Sequence, residues 1–541
     1  RLTRHAGYSL INLSCLTIGL ACSILILIYV RYESSYDGYH EKADRIYRLV
    51  NGNTAKTSSA LLPALQRAFP ELTVSVRIRP PNGLWLMKHD DRVFYEDRAY
   101  YSEPDILNVF DIQLVKGDPE TALYEASSRR ANSIVISRSM AIKYFGDEDP
   151  MGQIITVGDR TDLTVTGVME DLPANSHFSA DFFVSTPAFR PIWWWRALYT
   201  YVVLPENVVA PDLQQRIDRY VEVVLGPEAL AEGHVARPVL QPLTDIHLRS
   251  HLENEAGANS DVVYVYILSS IAALILLIAC INYMSLATAR SVNRAREVGL
   301  RKVVGASSSQ IVGQYLGESV LFAILSLIFA LGLVHLMLPA FSAITDKPLV
   351  LDYTHSPLLL PGLIGLTLCV GLISGSYPAL FLSAFRPDRV LKGIFGTGRQ
   401  GMALRKIMVI VQLTMTVILI ICVGVIGDQL DYVRNKPLGY DKEHVIVIPT
   451  TIGVIHNRYF PFKDVLLKNP NIRAVTRANS MPAREGGRSS LTTYMVRPEE
   501  AGEDARVELQ NLRVESEFLE TLGLELIAGR TFSGQGLEWN D

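Results

Sequence analysis

Five stretches of this 541-residue chain contain no Asp, Glu, Lys or Arg: 6–30, 262–289, 319–345, 356–385 and 407–427. Each is at least as long as the roughly 20 apolar residues that a bilayer core requires, so five membrane spans are the default reading. Buried soluble helices mimic one such run, not five flanked by clustered charge. Cysteine is almost as scarce. Cys15, Cys22, Cys280, Cys369 and Cys422 all lie inside the runs, which leaves no disulfide framework and no CxxC metal site for the segments outside them.

Catalytic and nucleotide motifs are missing as well. GxxxxGK[ST], HExxH and GxSxG do not occur in these residues. Gly396-Thr397-Gly398-Arg399-Gln400-Gly401 fits GxGxxG, but no strand precedes it and no βαβ unit surrounds it, so it is not read as a dinucleotide site. His247 and His251 stand four apart and are read as exposed loop histidines. No Asp, Glu, Lys or Arg sits mid-span, which argues against an ion-coupled transporter. The expectation is a non-enzyme without cofactor or metal, whose energy comes from another chain. The net charge of −4 gives no ground for a nucleic-acid partner.

What is present points to orientation. Arg290, Arg294, Arg296, Arg301 and Lys302 lie between spans two and three, and Arg386, Arg389, Lys392, Arg399, Arg405 and Lys406 between four and five. The loop around Asp346-Lys347-Pro348 has one basic residue. By the positive-inside rule the two basic loops and the N-terminus, with Arg1 and Arg4, are cytoplasmic. Residues 31–261 and 428–541 then lie outside. Asn12, Asn282 and Ser285 are placed to hydrogen-bond between helices, and Gly371 and Gly375 to bring two helices close.

The first external segment reads as mixed α and β. Residues 133–136 form a β-branched strand, 137–146 a short helix with a Ser start and a Gly stop, and 154–157 with 163–168 a hairpin around Gly158-Asp159. Small α+β subdomains are expected. The Trp193-Trp194-Trp195 run is read as partial core or domain interface. The second external segment is set beside the first: residues 106–117 align with 518–529 as apolar on apolar or identical Gly at seven of twelve pairs. Gly38-Tyr39 and Gly439-Tyr440 follow the two exits. Either the domain is duplicated or two unrelated helices end in Gly caps. Under duplication the chain is expected to continue past Asp541 with three more spans, eight in all, and its first apolar run is read as a retained signal anchor.

Residues 290–319 hold a basic, Gly-punctuated helix between two spans. Arg294–Ala306, ArgAlaArgGluValGlyLeuArgLysValValGlyAla, with Gln310-Ile311 and Glu318-Ser319 after it, resembles the signature of FtsX-like permeases, the membrane subunits of MacB-type ABC transporters. So does Ser374-Gly375-Ser376-Tyr377-Pro378-Ala379-Leu380 with Phe385-Arg386-Pro387. Asp44-Arg45-Ile46-Tyr47-Arg48, Ile134–Ser137, Tyr144-Phe145-Gly146-Asp147 and Pro150-Met151-Gly152 are similar to the MacB-type periplasmic core.

The resemblance implies an α-helical transmembrane protein with large α+β periplasmic domains and an FtsX-like permease core, in the bacterial inner membrane. Its segments would be 1–30 (N-terminus and first span), 31–261 (MacB-like core), 262–406 (permease core), 407–427 (fifth span) and 428–541 (a second, truncated MacB-like domain). It also implies two copies of a separate cytoplasmic ABC ATPase, a possible periplasmic adaptor and contact with lipid. ATPase coupling would fall on Arg294, Arg296, Glu297, Val298, Gly299, Leu300, Arg301, Lys302 and Gly305, with Glu297 to Leu300 gripped and the basic residues tuning orientation. Cargo, whether peptide, macrolide-like compound or lipoprotein, is not written in these residues. A membrane sensor would need a larger cytoplasmic output domain; an FtsX-like regulator of a cell-wall enzyme is the standing alternative.

Overall fold

The computed structural model describes residues 6–81, 83–123, 133–158, 161–186, 189–193, 195–225, 237–353, 359–383, 399–441, 443–448, 458–479, 492–496, 507–529 and 531. The chain divides into two compact units, residues 1–34 with 262–436, and 35–261 with 437–541.

The first unit is helical. Its five long helices are α1 (Ala6–Glu33), α2 (Val262–Val303), α3 (Ser308–Thr345), α4 (Leu359–Ser383) and α5 (Arg399–Asn435). Each is long and apolar enough to cross a membrane. Their apolar stretches are broad, without the one-sided stripe of a soluble helix, because lipid and neighbouring helices both accept them. Small residues decide which helices approach. A Cβ on Gly19 of α1 would stand 2.6 Å from the Ala279 Cβ of α2. Ser23 of α1 donates to the Ala272 carbonyl of α2 at 3.0 Å, and the Tyr283 hydroxyl of α2 to Ser319 Oγ of α3 at 3.1 Å. Asn12 is buried, but its Oδ1 has no partner among the described residues. Leu16, Leu20, Ile24, Tyr283, Phe322 and Val370 lie at the core between these helices.

The basic segment departs from expectation. It is not a separate helix between spans: α2 runs unbroken to Val303, and a turn at 304–307 starts α3. Arg, Glu, Leu and Lys are strong helix formers, so nothing halts α2 before Gly305, whose φ is +105°. Ser307 then caps α3 through a capping box with Gln310. At its far end α5 likewise outruns the uncharged stretch, continuing to Asn435.

The second unit is built on one mixed sheet of 13 strands in place of the separate small subdomains expected. In chain order the strands are β1 (Ile46–Asn51), β2 (Thr57–Ser58), β3 (Ser75–Arg79), β4 (Trp85–His89), β5 (Arg92–Glu96), β6 (Ala99–Ser102), β7 (Leu114–Lys116), β8 (Ser133–Ser137), β9 (Ile154–Val157), β10 (Thr161–Met169), β11 (Phe182–Ser185), β12 (Arg196–Val203) and β13 (Pro238–Pro242). The path is β13-β1-β12-β3-β6-β11-β8-β10-β9-β4-β5, with β2 on β12 and β7 on β10. The expected hairpin is β9–β10, and the expected short helix is Arg138–Phe145, with the Ser137 hydroxyl accepting from Met140 N and Gly146 at positive φ. Core side chains fall into clusters around Tyr100, Phe110 and Tyr201, around Tyr144 and Phe182, and around Leu65 and Ile217. Trp193 packs against the last of these, and Trp195 lies beside Phe189; Trp194 is outside the described residues.

Segment 437–541 forms a helix at Tyr459–Leu467, a two-stranded pair β14 (Thr492–Val496) and β15 (Val507–Asn511), and a short helix at Phe518–Thr521. Several of its hydrogen bonds repeat those of the first segment. Glu103 N donates to Arg77 O at 3.3 Å, and Glu515 N to Arg477 O at 3.1 Å. Ile112 N donates to Leu107 O at 2.9 Å, and Leu524 N to Leu519 O at 2.8 Å. Gly117 and Gly529 both take positive φ, +100° and +97°. The Arg77 guanidinium bonds the Glu103 carboxylate, and Arg477 Nε lies 3.9 Å from Glu515 Oε1.

Candidate coupling site

The last turns of α2 sort their side chains by helical phase. Residues three and four apart share a face, which puts Val298 and Lys302 on one side and Glu297, Leu300, Arg301 and Val304 on the other. Val298, 1% exposed, packs with Ile311 and Tyr315 of α3 and Ala379 and Leu382 of α4. Lys302 Nζ donates to the Ser383 carbonyl, the last residue of α4. This carbonyl has no intrahelical partner, so a cation beside it is favourable. The inner face thereby ties the end of α2 to both neighbours.

The outer face is apolar and bare. Leu300, Val303 and Val304 are 56%, 59% and 85% exposed. A shallow depression of about 350 Å³ is lined by Leu300, Arg301, Val304 and Ala306. Arg301 is held at its rim by Glu297 at 2.7 Å, one turn back, and by Gln314 Oε1 of α3 at 2.6 Å. Three large aliphatic side chains exposed around a fixed cation make a surface suited to another protein.

Of the residues singled out from sequence, Glu297, Leu300 and Arg301 reach this surface. Val298 and Gly299 are buried against the bundle. Arg294 and Arg296 lie on α2, with side chains outside the described set. Gly305 makes the turn. Val303 and Val304 were missed; their signal was two β-branched residues just before a glycine in an otherwise charged segment. Half of the GxGxxG stretch, 396–398, lies outside the described residues. His247 is not an exposed loop residue: it is 2% exposed and stacks on Tyr36 at 3.4 Å between ring centroids. Among the described residues no group of three or more His, Cys, Asp or Glu is arranged to hold a metal.

The family model described as MacB-like periplasmic core domain matches residues 9–220, and that described as FtsX-like permease C-terminal matches 269–387. The chain carries the two domains of the MacB-type FtsX-like permeases. Relatives include the macrolide export ATP-binding/permease protein MacB of Bdellovibrio bacteriovorus, 25% identical over 50% of this chain and 40% of that protein. The protein of the same description in Pasteurella multocida is 24% identical over 49% and 38%. The permease therefore spans about two fifths of the length of these relatives in the matched region. The solved periplasmic region of MacB from Actinobacillus actinomycetemcomitans is 13% identical, covering 37% of this chain and 90% of that one, with a TM-score of 0.28. The extracellular domain of the noncanonic ABC-type transporter YknZ from Gram-positive bacteria is 13% identical over 36% and 99%, with a TM-score of 0.27.

Five apolar helices and a MacB-like periplasmic core make this chain a multi-pass inner-membrane protein with periplasmic domains.

Proposed function

We propose that the permease passes ATP-driven movement of a separate cytoplasmic ABC ATPase, bound as two copies, to its periplasmic domains, for export or extraction of a peptide, macrolide-like compound or lipoprotein. The observation that carries this reading is the apolar surface of Leu300, Val303 and Val304 on a helix continuous with a membrane span. An ATPase that binds one arrangement of α2 and α3 more tightly than another shifts the bundle by that difference in affinity. Lys302 on Ser383 and Val298 among α3 and α4 make the helix end move with its neighbours. In the same reading, 31–261 and 428–541 are two copies of one periplasmic domain, supported by the recurring Arg77–Glu103 and Arg477–Glu515 contacts, and a periplasmic adaptor receives the movement.

Val304→Asp tests the surface in the permease reconstituted with its cognate ATPase. A carboxylate in place of this exposed apolar side chain is expected to weaken ATPase binding at least about tenfold, with insertion and thermal stability unchanged. Undiminished binding and undiminished stimulation of ATP hydrolysis would remove the surface from the mechanism.

A further inference from the structure

The periplasmic domain leaves α1 through residues 35–40 and returns to α2 through residues 250–261. Both segments are bound to neighbouring residues of the sheet. Arg48 of β1 and Tyr201 of β12 are direct cross-strand partners, so their side chains share one face.

Arg48, fully buried, holds the returning segment. Its Nη1 donates to Glu255 Oε2 at 2.5 Å and its Nη2 to Glu255 Oε1 at 2.9 Å and Ser250 Oγ at 3.2 Å, while Gln241 Oε1 accepts from Nε at 3.1 Å. Tyr201, also fully buried, holds the departing segment through a relay. Its hydroxyl lies 2.7 Å from His177 Nε2, and His177 Nδ1 donates to Asp37 Oδ1 at 2.9 Å. Asp37 sits at φ +58°, in the left-handed region that Asp tolerates better than most residues with a Cβ. His247 links the two segments: Tyr36 stacks on its ring, and its carbonyl accepts from Ser260 N at 2.9 Å.

An apolar residue in place of Arg48 would fill the same core without the desolvation of a charge, so a buried ion pair here is better explained by the geometry it fixes than by stability. We propose that Arg48 and Tyr201 form a paired anchor, by which segments 35–40 and 250–261 are fixed to one point of the sheet and a displacement of α1 or α2 reaches β1 and β12 as a single movement. The anchor's use rests on the mechanical reading above; its existence does not. Both are positioning residues, acting through Glu255 and through His177 and Asp37.

Hydrogen–deuterium exchange on the full permease separates the two. In the resting protein, Tyr201→Phe is expected to speed amide exchange at least tenfold in 35–40, and Glu255→Gln in 250–257, with β8, β10 and β11 unchanged. Glu96→Gln breaks a comparable buried contact with Lys143 and Tyr144 and should leave both segments protected. No acceleration, or an equal acceleration across the sheet, overturns the anchor. With ATPase and ATP added, the wild type should change exchange in α2, β1 and β12. The Tyr201→Phe/Glu255→Gln double variant should keep the change in α2 and lose it in both strands. Persistence in the strands overturns the proposal. A wild type that responds to ATP nowhere rejects the mechanical reading, and the resting comparison still decides the anchor.

Discussion

Gly371 of α4 faces Val320 of α3 so closely that a Cβ on it would stand 2.8 Å from the Val320 Cα. One turn on, a Cβ at Gly375 would meet Ser319 Cβ and Oγ at 2.7 Å. Backbone contact of this kind lets dispersion and polar contacts hold helices together where lipid removes the hydrophobic drive.

Gly371→Ala should therefore force α3 and α4 apart, at a cost of about 1–3 kcal/mol. Thermal unfolding in detergent reads the loss as a lower midpoint. Gly365→Ala, at a position where nothing lies within 4 Å, should leave the midpoint unchanged or slightly raise it. Equal effects at the two positions would mean that α3 and α4 do not pack through Gly371.

The periplasmic domain should weaken on acidification. Burial holds the His40 imidazole below its ordinary value near 6.5; Asp37 and the hydrogen bond to the Phe110 carbonyl oppose this, His177 adds to it, and Asp111 opposes it. The unfolded chain therefore takes up this proton first as pH falls. His40's contribution is complete above about pH 6.5 and is lost as pH drops from there through the folded value. His40→Asn, which can still donate to the Phe110 carbonyl, should show a smaller difference in unfolding midpoint between pH 7.5 and 5.5. A variant as pH-sensitive as the wild type would assign the effect elsewhere.

Cysteines introduced at Ser128 and Ser490, in a background without the five native ones, should react with an impermeant thiol reagent in whole cells with permeabilised outer membranes. One at Ser307 should react only after lysis. Protection of both external sites would reverse the orientation drawn from the Lys and Arg distribution.

If the two periplasmic segments are copies, their Arg–Glu pairs should fail alike. Arg77→Met leaves the partly buried Glu103 carboxylate without its cation, holding only the bond from the residue 77 backbone N–H, at a cost of about 3 kcal/mol. Arg477→Met should cost less, about 1–3 kcal/mol, because Tyr459 and Lys463 also bond Glu515, at 2.7 and 3.2 Å. Local exchange in 459–479 and 513–524 measures the second loss. No effect at Arg477 would count against equivalence of the two pairs.

The spans, the β9–β10 hairpin and the capped Arg138–Phe145 helix were legible because each rests on a local signal: missing charge, alternation around Gly158, Ser and Gly at the ends. The single sheet was not, since its central pairings join β1 to β12 across some 150 residues and leave no local mark. The contacts of Arg48, Asp37, His177 and Tyr201 were equally hidden, although Arg48 lies in the Asp44–Arg48 motif. Each reads as an ordinary polar residue, and only the strand register brings them together. At the candidate coupling segment, composition revealed the basic helix end but not its phase, which buries Val298 and Gly299 and exposes Leu300.

That α2 is one helix of 42 residues has a rotational consequence. At about 1.5 Å and 100° per residue it is roughly 63 Å long and more than eleven turns around, and its ends are locked in azimuth like the two ends of a key shaft. Adding or deleting one residue within the span would barely change its length, yet would swing Leu300 and Val304 about a quarter-turn relative to Val262. The bearing of one end on the other is thus recorded in the count of residues between them, whatever their identity.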